Sequence, residues 1–149
     1  MWYNINNKNN ILIMNENNKT IAIVWQRLIS DGSTCPRCGS TEENLEQAVL
    51  ELKEKLKPYN INITLEKKEL TTEEFKKDSI KSNSILFEGD SLEKLISANV
   101  GQSKCCDVCG DAECRAVEIK GSLYEIIPTD LIVRAGLIAV FDKFNINLL

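Results

Sequence analysis

The chain has 149 residues, a formal net charge of -4 and a hydrophobic fraction of 43%, enough for one domain with a single buried core and too apolar for wholesale disorder. Its 4 Arg and 14 Lys stand against 22 acidic residues, which leaves no basic face for duplex nucleic acid. With 0 His and 6 Cys, Ser-His and Cys-His catalysis are excluded, and thiol chemistry, all-thiolate metal binding or carboxylate work remain.

Residues 1–19 hold eight Asn and, outside Ile11 to Met14, no period that could bury a face. A disordered lead-in is expected there, followed by one domain over residues 20–149. The N-terminus shows no export signal, since its apolar run spans four residues where about 7–15 are needed. A cytoplasmic location with reduced thiols is therefore expected; either Met1 or Met14 suits as a start.

Ile21 to Ile29 reads as a central strand covered on both faces, and a loop, SDGST, then delivers the chain to Cys35. Ser40 and Glu43 form a capping-box pattern. Leu45, Ala48, Val49, Leu52 and Leu56 follow at helical spacing and stop before Pro58. Ile61, Ile63 and Leu65 alternate with polar residues as a half-buried strand. Thr71 or Thr72 starts a short charged helix, Ser84 to Glu88 is a strand, Gly89-Asp90 is a turn, and Leu92, Leu95 and Ile96 suggest two or three helical turns. Residues 101–114 show no apolar period and read as a Cys-rich inserted loop. Ala116 to Ile119 and Leu123 to Ile127 flank Lys120-Gly121-Ser122 as a hairpin. A buried helix from Thr129 or Asp130 ends the chain; at about 14 residues it falls short of the roughly 20 that cross a bilayer, so no membrane partner is expected. The order implies a mixed sheet with helices on both faces, the hairpin adding antiparallel strands to it.

Cys35-Pro36-Arg37-Cys38 lies between the first strand and the first helix. A two-residue spacer lets the thiols close a small ring, and the helix N-terminus and Arg37 both favour a thiolate over the free thiol of pKa ~8.5. Cys35 is expected to be the nucleophile, Cys38 the resolving thiol. Cys105, Cys106, Cys109 and Cys114 form a second cluster, more plausible in a reducing compartment as ligands of zinc or another thiophilic metal than as disulfides. Adjacent Cys105 and Cys106 would strain to hold one small ion, so one of them is a candidate exchanging thiol. CPRCG and CDVCG also have zinc-knuckle form, so a second reading stays open: a non-enzymatic interaction module with a four-thiolate zinc site. Trp25 and Arg27 read as core and rim. Asp107, Asp111 and Glu113 read as loop-solvating groups.

Strand, CPRC, helix, strand, helix and a strand entered through Ser82-Asn83-Ser84, followed by hairpin and helix, resemble a thioredoxin-like α/β protein. More closely, WQRL, TCPRCG, EKKEL, VGQSKCCDVCGDAECR and IPTDLIVRAGL together resemble an uncharacterised prokaryotic family described as a domain of unknown function, over roughly residues 20 to 143. The resemblance implies a fold and no activity. Two departures from thioredoxins stand out. Thr34, not Trp, precedes Cys35, and Asn83 or Ser84 occupies the place of the cis-Pro that shapes the peptide groove and shields the thiols from metals. These departures favour metal-thiolate chemistry over general disulfide reduction. The expected partner is a thiol or disulfide substrate or a thiophilic metal; oligomeric state is not legible. The strand directions also bring the two Cys clusters to one end of the sheet.

Overall fold

The computed structural model describes residues 19–29, 32, 36–104 and 113–149. Of the expected lead-in only Lys19 is among them, and Cys35, Cys105, Cys106 and Cys109 lie outside them. Strand β1 (Lys19–Leu28) pairs in parallel with β2 (Ile61–Leu70), from Lys19 opposite Ile61 to Leu28 opposite Leu70. On its other edge β1 pairs antiparallel with β3 (Ser84–Phe87), which pairs with the two-residue β4 (Asp90–Ser91), giving the order β2-β1-β3-β4. Helix α1 (Pro36–Leu56) is the crossover that parallel pairing of β1 and β2 requires. The architecture is a mixed α/β fold with sheets flanked by helices, consistent with the thioredoxin-like class.

Burial sorts the elements by period. Ile21, Ile23 and Trp25 of β1 are buried, while Ala22, Val24 and Gln26 between them are only half-buried. The first strand is thus fully covered on one face, not on both as its apolar run suggests. That face meets Leu45, Ala48, Val49, Leu52 and Leu56 of α1 and Ile132, Val133, Ala135 and Val140 of α4 (Thr129–Phe144) in one core. The opposite face is closed at its Leu28 end, where Leu28 clusters with Phe75 of the six-residue α2 (Thr72–Lys77) and with Cys114. Thr71 caps α2 in a capping box with Glu74. The α1–α4 contact is close because α4 has a glycine there. A Cβ on Gly136 would lie 2.6 and 2.9 Å from the Leu52 methyls.

A second sheet departs from expectation. The hairpin does not extend the first sheet; β6 (Glu113–Ile119) and β7 (Ser122–Tyr124) join β5 (Asn99–Lys104) in a separate antiparallel sheet, β5-β6-β7. Lys120 at φ 49° and Gly121 at φ 83° supply the two left-handed residues that a tight hairpin turn with right-handed strand twist demands. β5 itself falls in a stretch that reads as loop, NVGQSK, because its pattern carries no apolar alternation. It becomes a strand through its partner: Val100 faces Val117, and Gly101 faces Ala116 where a Cβ would lie within van der Waals radii of Leu123 Cδ1. Gly89-Asp90, expected as a turn, leads directly into β4, and α3 (Leu92–Leu95) is a single turn capped by Ser91, not two or three. No described helix is long and apolar enough to cross a membrane.

Candidate thiol site

The end of β1 and the start of α1 carry the first Cys motif. Helix α1 begins at Pro36, four residues before the expected Ser40 cap, since proline at the first helical position has the right φ and needs no N–H partner there. Arg37 and Cys38 therefore sit in the first turn, and Cys38 is 2% exposed within the main core. One turn on, Thr41 is fully buried, and its hydroxyl accepts a hydrogen bond from Asn83 Nδ2 at 3.4 Å and one from the Ile127 N–H at 3.3 Å. Asn83 Oδ1 in turn accepts from Trp25 Nε1 at 3.1 Å. A buried polar chain thus ties β1, α1, the start of β3 and the approach to α4 beneath Cys38.

Asn83 and Ser84 are the two residues expected at the place of a thioredoxin cis-Pro, and Asn83 carries the buried amide. It is 1% exposed with φ 62°, a left-handed conformation that asparagine tolerates better than most residues. No peptide bond among the described residues is cis. The Asn83 amide serves two side chains, Trp25 and Thr41, and forms an internal bracket.

Arg37 does more than lend charge to the motif. Its Nε donates to the Glu125 carbonyl at 3.0 Å and its Nη2 to the Arg115 carbonyl at 2.7 Å. The Cys38 turn is thereby fastened to β6 at the residue after Cys114. Cys114 is 1% exposed, opposite Ser103 on β5, in the cluster with Leu28 and Phe75. The described parts of the two Cys segments therefore meet at one end of the fold. Cys35 and Cys105, Cys106 and Cys109 of the expected metal set fall outside the described residues. Among the described residues no group of three or more Cys, Asp or Glu is arranged to hold a metal ion. Asp107 and Asp111 are also outside, and Glu113, expected in a loop, is instead the exposed first residue of β6, paired with Lys104.

β6 is held in turn by Arg115. Its Nε and Nη2 donate to Glu93 Oε1 and Oε2 at 2.8 and 3.0 Å, and its Nη1 donates to the Ile80 carbonyl at 3.0 Å. The side chains are 12% and 3% exposed, so the pair is buried and bidentate. Glu93, Arg115, Thr41 and the Asn83 amide are neighbours of the site that no sequence motif marks. Glu93 and Arg115 are 22 residues apart and belong to segments without a shared period, so no local signal joins them. Trp25 is fully buried and Arg27 stacks its guanidinium 4.9 Å from the Trp25 ring centroid, as core and rim residues. Among the described residues, three buried side-chain polar atoms have no hydrogen-bond partner: Arg27 Nη1, Arg37 Nη1 and Ser103 Oγ.

Residues 21–136 match the model of a family described as a domain of unknown function, DUF2703. The chain belongs to this family. An uncharacterised protein of Archaeoglobus fulgidus is 48% identical over 112 residues, covering 75% of this chain and 82% of that protein. No solved structure matches the chain. The matched span of the family takes in both Cys segments, the Trp25–Asn83–Thr41 chain and the Glu93–Arg115 pair.

Proposed function

We propose that this member of the family is a thiol protein that exchanges disulfides or thiophilic metal ions through Cys35 and Cys38, with the second Cys segment as relay or metal-holding partner. The observation that carries the reading is the seating of Cys38: buried in the first turn of a helix that follows a central strand, with Arg37 bonded across to the strand that bears Cys114. In the exchange, the Cys35 thiolate attacks a substrate disulfide, forming a mixed disulfide and releasing one substrate thiolate. The Cys38 thiolate then displaces the second, leaving a Cys35–Cys38 disulfide. Two electrons pass to the substrate, and a small thiol or dithiol reductant restores the pair.

The replacement of the cis-Pro by a bonded Asn83 supports metal-thiolate exchange alongside disulfide exchange, since the residue that guards thioredoxin thiols from metals is missing. A second reading, a structural zinc site built from Cys35, Cys38, Cys106 and Cys109, is favoured by one observation: the Arg37 to Arg115 bond that adjoins the two segments. Elemental analysis of anaerobically purified protein, with thiol counts before and after reduction, separates the two. The exchange reading expects a folded metal-free protein with a reversible Cys35–Cys38 disulfide, fastest alkylation at Cys35, and a trapped mixed disulfide in Cys38→Ser. One tightly held zinc per chain, whose removal unfolds the protein, would instead establish the structural site.

A further inference from the structure

Arg27 and Arg37 share an unusual condition. Each has an Nη1 group hidden from solvent and without an acceptor, and neither forms an ion pair among the described residues. A buried guanidinium N–H pair left unbonded is costly, and native proteins avoid it unless something else completes it. The third partly buried Arg of this region, Arg115, shows the ordinary solution, a bidentate carboxylate.

The two incomplete groups lie at one level of the fold. Arg27 is two residues beyond Trp25 on the same face of β1, about 7 Å further along the strand. Arg37 is four residues before Thr41 on α1, about 6 Å back along the helix. The connection of β1 to β2 in parallel makes α1 run opposite to β1, so both displacements point toward the Cys38 end. Trp25 and Thr41 are joined through Asn83, and the backbone positions of Arg27 and Arg37 therefore stand one layer above that bracket, one on the strand and one on the helix. Arg27 is fixed there by stacking on Trp25, Arg37 by its two carbonyl bonds. Two positive charges with no ion-pair partner among the described residues, beside the first turn of a 21-residue helix, are favourably placed to be joined by an anion.

We infer that Arg27 and Arg37 together bind one oxyanion group beside Cys38. The ligand chemistry is a carboxylate or a tetrahedral oxyanion taking N–H bonds from both Nη1 groups. The site deepens the thiol-exchange reading by making the preferred substrate anionic, and it rests on that reading only for its use, not for its binding.

The test uses the full reduced chain carrying Trp2→Phe, so that Trp25 under Arg27 is the sole tryptophan. Sulfate and phosphate are titrated against chloride at equal ionic strength, followed by Trp25 fluorescence, and the same series is run in the Cys35→Ser chain with dithiodiglycolate and its neutral dimethyl ester, which the Cys35 thiolate would otherwise attack. Saturable quenching or enhancement by oxyanion, absent with chloride, is expected. Arg27→Gln, which breaks no hydrogen bond among the described residues, should weaken it at least about tenfold, the value of one charged hydrogen bond; Arg37→Lys, which keeps the charge and loses the fork, should do likewise. Tighter binding of dithiodiglycolate than of sulfate, with none by its ester, identifies the carboxylate of a small organic disulfide. Tighter binding of sulfate or phosphate identifies an inorganic oxyanion. Equal response to chloride and sulfate, or unchanged affinity in a folded Arg27→Gln chain, overturns the inference. Binding must persist in Cys35→Ser, so loss of exchange and loss of anion binding are separate results.

Discussion

Glu93→Gln is the sharpest test of how the second sheet is held against the first. The carboxylate accepts from Arg115 Nε and Nη2 at 2.8 and 3.0 Å with 3% of its side chain exposed. Glutamine keeps one oxygen for Nε and puts an NH2 donor against the Nη2 donor. One charge-assisted bond is lost, and a buried guanidinium is left with no counter-charge. Breaking a buried pair from one side costs about 3–5 kcal/mol; Arg115 is 12% exposed, so some screening by water places the expected loss near ~3 kcal/mol. Total stability for a domain of this size is about 5–15 kcal/mol, so the variant should remain folded. Replacing both partners, Glu93→Leu with Arg115→Met, removes the buried charges together and strands only the Ile80 carbonyl, which Arg115 Nη1 serves. That double variant should lose about 1–2 kcal/mol, less than the single one. Urea unfolding of the reduced full chain, followed by circular dichroism and fluorescence, measures both. Cys114 labelling should also speed up in Glu93→Gln, because Arg115 anchors the strand that buries it. A cost below about 1 kcal/mol for Glu93→Gln, or a double variant worse than the single one, would refute the argument.

Three further outcomes are expected. Gly136→Ala forces a Cβ to 2.6 Å from a Leu52 methyl that has no exposed side to move into, and should cost about 1–3 kcal/mol; in a Leu52→Ala background the same change should cost nothing or partly refill the cavity, as thermal unfolding of the four chains will show. Glu88 Oε1 accepts from Lys143 Nζ at 2.8 Å and from the Ala22 N–H at 3.1 Å, and the Lys143 bond holds its carboxyl below the usual carboxylate range. A depressed folded pKa makes the contribution present above the unfolded value of about 4.3 and lost as pH falls through the folded one, so Lys143→Met should flatten the acid limb of a stability–pH curve, by no more than ~1 kcal/mol because both groups are partly exposed. Thr71→Ala removes one half of the capping box and should cost about 0.5–2 kcal/mol, read as faster amide exchange in α2, with faster labelling of Cys114 beneath Phe75.

Much of the fold is legible in residues that lie close together along the chain. The stripe Leu45, Ala48, Val49, Leu52, Leu56 predicts a helix face and all five are buried; Ile61, Ile63 and Leu65 predict an inward strand face, with the first two buried and Leu65 half-buried; Thr71 or Thr72 predicts a helix start and Thr71 caps it. Each signal is periodic or local, so a few neighbouring side chains suffice to express it. The start of α1 was misplaced because a proline in the first turn and a capping box four residues later are both sound local signals, and tertiary contacts chose the first: Arg37 reaches residues 78 and 88 positions away. β5 was illegible because its strand character belongs to β6, opposite which a glycine fits and a Cβ does not. The hairpin's two strands and its turn were readable, but not the sheet they would join, since strand partners are settled by which faces remain to be covered once α1 and α4 have packed. The candidate site divides the same way. The cysteine motifs stand in the sequence as spacings of two residues, whereas the Asn83 bracket spans 58 and 42 residues and the Glu93–Arg115 pair 22. Those bonds have no local period to announce them, because what brings their partners together is the burial of apolar faces elsewhere in the chain, and the polar groups trapped by that burial must then find one another.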